Sequence, residues 1–521
     1  MTKKQDIFLL FILYSFSSIF LLLNFDGVYW DDWVAVNQTQ ETINIFMGMI
    51  QHGLKGVFVK LMLSFENQIY PSRIFLFFTY FITGILLYYI LNTIKELSKK
   101  DIFYITLLYL IMPVSSSKIA ISIIPFYLPL LIFFISFILL TKYIKNNSFL
   151  LRVIILLGFF ISFDTNSILV FYATVLMYIF YIKYNFQITI SNIKSFTFRY
   201  IDFILLPIIF FIIKSIYFKP YGLYEGYNSL ADSSIFKVIF KLFRSIDTSI
   251  FNVLHQSFYI SLPYWLLIFV ITFIFIKRNW IKNEKKVNTH SKEFLYLGFI
   301  FFFLAIFPYV AVLKLPTVES FSSRFQLLTP LGLAFIFYFG INMTASYFKS
   351  NRYMKPILLI LLVCSFMGKN LYDYYKWQID SLYMTSIMMN LKDDKVVKNN
   401  TTFIINNNII PKLMYQRTPP LYEWNGILKQ AFGDDKRLIV SYQQSKKLDS
   451  IIKLQHYLQY NFSQWKQTEP ILLTISKSYK YKVGKTMISK LLLMRFKDYK
   501  QYLIEVKKLT TINTNRFMEK R

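Results

Sequence analysis

A chain of 521 residues that is 55% hydrophobic and 20% aromatic, with positive mean hydropathy, carries more apolar surface than one soluble core can hide; a bilayer is the solvent that accepts it. The formal charge of +30 would point to nucleic acid in a soluble protein, but here the cations sit between apolar blocks and in the tail, where membrane orientation and anionic head groups account for them, so no nucleic-acid partner is expected. The lone Cys364 excludes an internal disulfide, and His52, His255, His290 and His456 make no pair at metal-ligand spacing.

The apolar blocks predict about eleven membrane-spanning helices, because an α-helix needs roughly 20 residues to cross the hydrocarbon layer. They lie near 7–24, 72–94, 101–117, 119–141, 149–163, 167–182, 200–218, 257–276, 294–313, 325–348 and 356–371. The first follows Lys3 and Lys4 and lacks a small-residue cleavage site, so it reads as an uncleaved span. Between it and the second, loop 25–71 holds two apolar segments, 42–50 and 54–65, with helical spacing but too short to cross; they are expected to lie in the interface. Pro113 and Ser115-Ser116-Ser117 signal a tight turn between the third and fourth spans. The loop 219–250 is rich in Tyr and Gly. Arg152, Asp202 and Lys214 stand near span ends, where they can snorkel.

Beyond Tyr372 the chain carries 26 Lys+Arg against 12 Asp+Glu. A helical stretch to Lys392 precedes strand-like runs at 402–405, 438–442, 471–475 and 488–496 and a helical run at 446–460, the pattern of a small α+β domain. The expected division is a transmembrane domain over 1–371 and a soluble basic domain over 372–521. Lys and Arg concentrate in alternate loops, starting with Lys3 and Lys4, which puts the N-terminus in the cytoplasm; an odd span count then puts the tail outside.

The most unusual segment follows the first span: Asp26-Gly27-Val28-Tyr29-Trp30-Asp31-Asp32-Trp33. Adjacent carboxylates at a membrane surface repel each other and lose hydration, so each must find a partner or shift its pKa. Asp31 or Asp32 is placed to deprotonate an acceptor hydroxyl or, as a pair, to hold a divalent cation such as Mg or Mn against a phosphate. Tyr29, Trp30 and Trp33 suit either an interfacial belt or a platform for a sugar. Arg73 and Arg324 open spans at the depth of lipid head groups, where a guanidinium fork suits a phosphate and where plain snorkelling is the alternative. Glu225 and Tyr227, in Pro220-Tyr221-Gly222-Leu223-Tyr224-Glu225-Gly226-Tyr227-Asn228, could contact a saccharide, and Tyr422-Glu423-Trp424-Asn425-Gly426 has a similar composition.

A first span followed at once by an acidic pair in a long outer loop with interfacial helices resembles the GT-C class of membrane glycosyltransferases, such as the protein O-mannosyltransferases, the lipid A aminoarabinose transferases and the O-antigen glucosyltransferases. The resemblance covers the architecture of residues 1–372 and, as a motif, Asp31 and Asp32. It implies that an aspartate of the first outer loop is the base, that the donor is a sugar on a polyprenyl phosphate, and that the acceptor is a glycan or lipid of the bacterial cell envelope. By that likeness Asp31, the first of the pair, is the base, and Asp32 orients the acceptor or binds a metal. A flippase or polysaccharide transporter, a polymerase of lipid-linked units and a non-catalytic envelope scaffold are the rivals; a transporter should line mid-bilayer helix faces with charge, and few such residues are visible. Donor, acceptor and oligomeric state are not written in the sequence.

Overall fold

The computed structural model describes residues 2–23, 26–50, 53–226, 234–261, 269–270, 290–347, 354–409, 413, 417–441, 443, 465–478 and 485–516. Its first half is helical throughout. α1 (Lys3–Leu23) leads into the first loop, which holds α2 (Asp32–Ala35), α3 (Gln40–Ile50) and α4 (Gly53–Leu63). The bundle continues with α5 (Ile69–Leu91), α6 (Lys99–Ile111), α7 (Tyr127–Asn146), α8 (Phe149–Ser162), α9 (Ser167–Phe171), α10 (Ala173–Tyr184), α11 (Ile190–Arg199) and α12 (Ile201–Tyr217). Then come α13 (Ile235–Ile246), α14 (Asn252–Ser261), α15 (Ser291–Ala311), α16 (Thr329–Tyr347) and α17 (Met354–Asp393).

Six of these elements are long and apolar enough to cross a membrane: α1, α5, α7 with the turn before it, α9 and α10 taken together, α15 and α17. The pair α11 and α12, bent by 63°, makes a seventh if counted as one span. Helices α6, α8 and α16 fall on three more expected spans without meeting that standard, and most of the span expected at 257–276 lies outside the described residues. The outward surface is that of a membrane protein. Phe149, Leu150 and Leu157 on α8 and Ile208, Phe211 and Ile216 on α12 are all more than half exposed, a surface no soluble monomer sustains.

Local signals set the helix ends. Ser98 and Asp101 form a reciprocal capping box at the start of α6, and Asn147 ends α7 in the left-handed conformation, φ 49°. Between α15 and α16 the backbones meet: a Cβ on Gly332 would lie 2.5 Å from Phe302 N, the close approach that small residues permit in membrane bundles. Several charged side chains of the bundle are paired. Arg152, near a span end, forks its guanidinium onto Asp202 at 2.6 Å and also donates to Tyr143 Oη and the Arg199 carbonyl, the bidentate geometry that suits a carboxylate. Lys214 likewise donates to Asn166. Lys369 and Asp373, both fully buried, pair one turn apart on α17.

Helix α17 has 40 residues. It runs from the bundle straight into the tail, where Leu382, Tyr383, Met384, Ile387 and Leu391 join the second core; the boundary expected at 372 falls inside it. The tail then forms α18 (Lys395–Asn399), β1 (Thr402–Asn407), α19 (Leu421–Phe432), β2 (Leu438–Val440), β3 (Ile471–Lys477), α20 (Lys485–Lys497), α21 (Tyr499–Lys507) and β4 (Thr510–Arg516). The sheet order is β2-β1-β3-β4, with β1 parallel to β2 and β3 and β4 antiparallel to β3. The strand expected at 488–496 is instead helix α20. Its run of leucines mimics a strand, but the buried positions, Ile488 and Leu491, are three apart, the spacing of a helix face. The helix expected at 446–460 lies outside the described residues.

Candidate functional site

The acidic segment after α1 lies where the bundle meets the tail. Tyr29 is fully buried and donates its hydroxyl to the Trp377 carbonyl of α17 at 2.8 Å. Trp30 adopts a left-handed backbone, φ 46°, a conformation that costs a tryptophan roughly 1–2 kcal/mol. Its ring packs edge-on against Trp377 at 4.3 Å and against Phe321 at 5.1 Å, and this packing holds the strained turn. Trp33 is buried in the core of the tail together with Trp424 and Ile427. The three aromatic residues are therefore packing elements, with no ring face left to stack on a saccharide.

The two aspartates have opposite environments. Asp32 is fully buried, and its carboxylate accepts backbone N–H groups from Tyr29 at 3.2 Å, Ile121 at 3.0 Å and Ser122 at 2.8 Å. Burial pushes its pKa up to about 6, against the pull of those donors and of Arg73. It ties the first loop to the turn before α7. Arg73 does the complementary work: fully buried at the start of α5, it donates to the carbonyls of Ile119 and Gly27, which leaves it unavailable to a phosphate.

Asp31 is the N-cap residue of α2 but does not cap it; no side-chain bond runs to the helix. Its carboxylate instead accepts a hydrogen bond from Tyr422 of α19, and Arg324 lies within electrostatic reach. Burial raises its pKa, and Tyr422 and Arg324 oppose that rise. Burial and the neighbouring Asp31 push the Tyr422 phenol well above its ordinary range. Arg324 sits on the 3-10 turn Phe321–Gln326. Its guanidinium stacks over Phe321 at 3.9 Å and Phe325 at 4.7 Å and makes one long bond to the Phe321 carbonyl, so most of its five donors stay open. No ion pair of Arg324 occurs among the described residues. The residue that opens this turn, Ser320, has φ 64°, and its strain is held by Ser323 bonding back to the Ser320 carbonyl and to the Ser117 amide.

Behind Asp31 stands a buried charge cluster. Arg417 bonds Asp380 of α17 at 3.0 Å and both oxygens of Glu423 at 2.7 Å, and it faces the Trp30 ring. Both carboxylates are wholly buried. Burial pushes Glu423 up to about 7 even though Arg417 pulls it down. Lys118, on the turn Ser116–Ile119, is buried over the Tyr80 ring at 4.2 Å and makes no ion pair among the described residues. The sequence offered a faint sign of α19 in the composition of 422–426 and none for Arg417, Asp380 or Lys118.

Of the remaining expected contacts, Glu225 is exposed beside a turn that bonds to α3 through Tyr221 and Met49, and no described contact joins it to Asp31. Tyr227 lies outside the described residues. The acidic pair fits a divalent cation poorly. Asp32 already spends both oxygens on N–H donors, Asp31 points to Tyr422, and no three Asp, Glu, His or Cys side chains converge among the described residues. No protein-family model, curated protein or solved structure matches the chain.

Proposed function

We propose that this membrane protein is a GT-C-like glycosyltransferase, moving a sugar from a polyprenyl-phosphate-linked donor to a glycan or lipid acceptor of the bacterial cell envelope. The reaction belongs on the outer face of the cytoplasmic membrane, with the N-terminus in the cytoplasm and the tail outside, an orientation supported by the alternation of basic loops. The observation that carries the reading is Asp31: a largely buried carboxylate free of capping duty, facing an open guanidinium and a tyrosine from the tail. Asp31 takes the proton of the acceptor hydroxyl. The acceptor oxygen then bonds the anomeric carbon, and the bond from that carbon to the phosphate oxygen breaks, its electron pair staying on the phosphate beside Arg324. Burial raises the basicity of Asp31 in the direction a general base needs. Asp32, fully committed to backbone, fixes the loop.

The test is transfer of labelled sugar from native lipid-linked donors in membranes holding each variant at matched level. Asp31→Asn should lower transfer by about 10²–10⁴-fold, the usual worth of a general base, with insertion unchanged. Arg324→Lys keeps charge but loses the fork and should fall about tenfold or more, whereas Asp32→Asn should lower the yield of folded protein and, once levels are matched, transfer at close to the wild-type rate. Near-normal transfer from Asp31→Asn ends this mechanism.

A further inference from the structure

Helix α13 is sharply two-sided. Ile235, Phe236, Phe240 and Phe243 are each 65% exposed or more, Ile239 is 45% exposed, and only Ser245 is buried. Lys237, Lys241 and Arg244 repeat at i, i+4 and i+7 and form a stripe along one flank of that apolar face. The helix continues through the π-helical turn Asp247–Phe251 into α14, yet this stretch is not among the helices apolar enough to cross a membrane.

The polar contacts of this helix and its continuation hold one segment. Lys241 donates to the Leu313 carbonyl, Thr248 to the Pro316 carbonyl at 2.8 Å, Gln256 to Glu319, and Gln326 to Ser249 at 2.6 Å. Residues 313–326 include the Arg324 turn and two non-glycine residues at positive φ, Leu313 and Ser320; they need such external support. The helix also packs against the membrane-spanning α15, whose Tyr296, Ile300 and Phe307 are exposed, so its apolar face joins the belt of the bundle. Lys237 and Arg244 are exposed and form no ion pair among the described residues, which leaves two cations beside three exposed phenylalanines.

We propose that α13 lies in the plane of an anionic bilayer surface, with Phe236, Phe240 and Phe243 among the acyl chains and Lys237 and Arg244 on lipid phosphates. Through its contacts with residues 313–326 it holds the Arg324 turn at headgroup depth. The inference rests on the membrane assignment and stands apart from the glycosyl-transfer reading.

Full-length protein carrying Phe240→Cys in a Cys364→Ala background is spin-labelled and placed in nanodiscs of phosphatidylglycerol or of phosphatidylcholine. Oxygen should quench the label more than a water-soluble nickel chelate does. Dominant nickel access (a face in water) or low access to both (a face covered by protein, such as a second copy) overturns the proposal. Separately, spin-labelled phosphatidylglycerol should associate more than phosphatidylcholine, and Lys237→Gln with Arg244→Gln should cut that preference by about fivefold per charge. An unchanged preference removes the anionic-lipid part.

Discussion

Replacing Arg417 by methionine removes the cation that Asp380 and Glu423 share while keeping an apolar stem of similar reach. Glu423 then loses both of its hydrogen bonds from Arg417, and Asp380 loses its own, with both carboxylates fully buried; breaking a buried pair in this way typically costs about 3–5 kcal/mol. The loss has a ceiling set by pH, because Glu423 can neutralise itself. With an unperturbed pKa of 4.5, protonating it at pH 8 costs about 5 kcal/mol, at 1.36 kcal/mol per unit, and at pH 6 about 2 kcal/mol. The sign follows from the raised pKa: the folded state binds the proton more tightly than the unfolded one, so stability grows as pH falls toward the unfolded value. In the native protein Glu423 already titrates near 7, which returns about 1.4 kcal/mol between pH 8 and pH 6, against about 2.7 kcal/mol for a variant in which it stays neutral throughout. The defect of Arg417→Met should therefore shrink by about 1.4 kcal/mol over that interval. Thermal unfolding of the purified protein in detergent at both pH values reads this out, with Arg417→Met, Asp380→Asn, Glu423→Gln as the rescued control. A single variant with a pH-independent defect, or one no less stable than the triple variant, would refute the argument.

Gly426→Ala probes the seat of the tail. The added Cβ would lie 2.6 Å from Trp33 Cβ and 2.8 Å from the Trp33 carbonyl, so overpacking should destabilise the contact by about 1–3 kcal/mol, against the gain of about 1 kcal/mol that alanine brings to a helix interior; faster proteolysis of the tail in detergent is the readout, and protection equal to wild type contradicts it. Tyr422→Phe keeps the ring and removes the donor to Asp31. The groups facing Asp31 are then Arg324 and Glu423; without the tyrosine its pKa rises further, and the acidic limb of the pH–rate profile for sugar transfer should move to higher pH. A limb that stays in place means Tyr422 only packs.

What could be read in advance was whatever rests on local pattern. Lys3–Leu23 and Ile69–Leu91 are long apolar runs, and the short helices Gln40–Ile50 and Gly53–Leu63 show their period within their own residues. The strands at Thr402–Asn407 and Ile471–Lys477 are β-branched and bounded by polar turns. The edge strand Thr510–Arg516 was missed because only Ile512 among its residues is apolar, as suits an exposed edge. Helix α19 was hidden by Glu423 and Asn425, polar residues buried on its core side. Their reason, Arg417 for one and the Ile439 backbone for the other, exists only once the chain is folded. The acidic pair drew attention by adjacency alone; adjacency cannot say which carboxylate faces the backbone and which the seam, since that depends on Ile121, Ser122 and Tyr422, all at least 89 positions away.

The unbroken helix α17 turns the delivery of Tyr422 into a matter of angle. On a slack tether a tyrosine would reach Asp31 with an effective concentration set by linker length. On a rod that leaves the bundle core at Trp377 and enters the tail core at Leu382, its position is set by phase. One residue added between them would turn everything beyond by about 100° and advance it by about 1.5 Å. Tail and bundle must then be read as one lever: a load on the tail bears on Trp377, and through its contact with Trp30 on the backbone that presents Asp31.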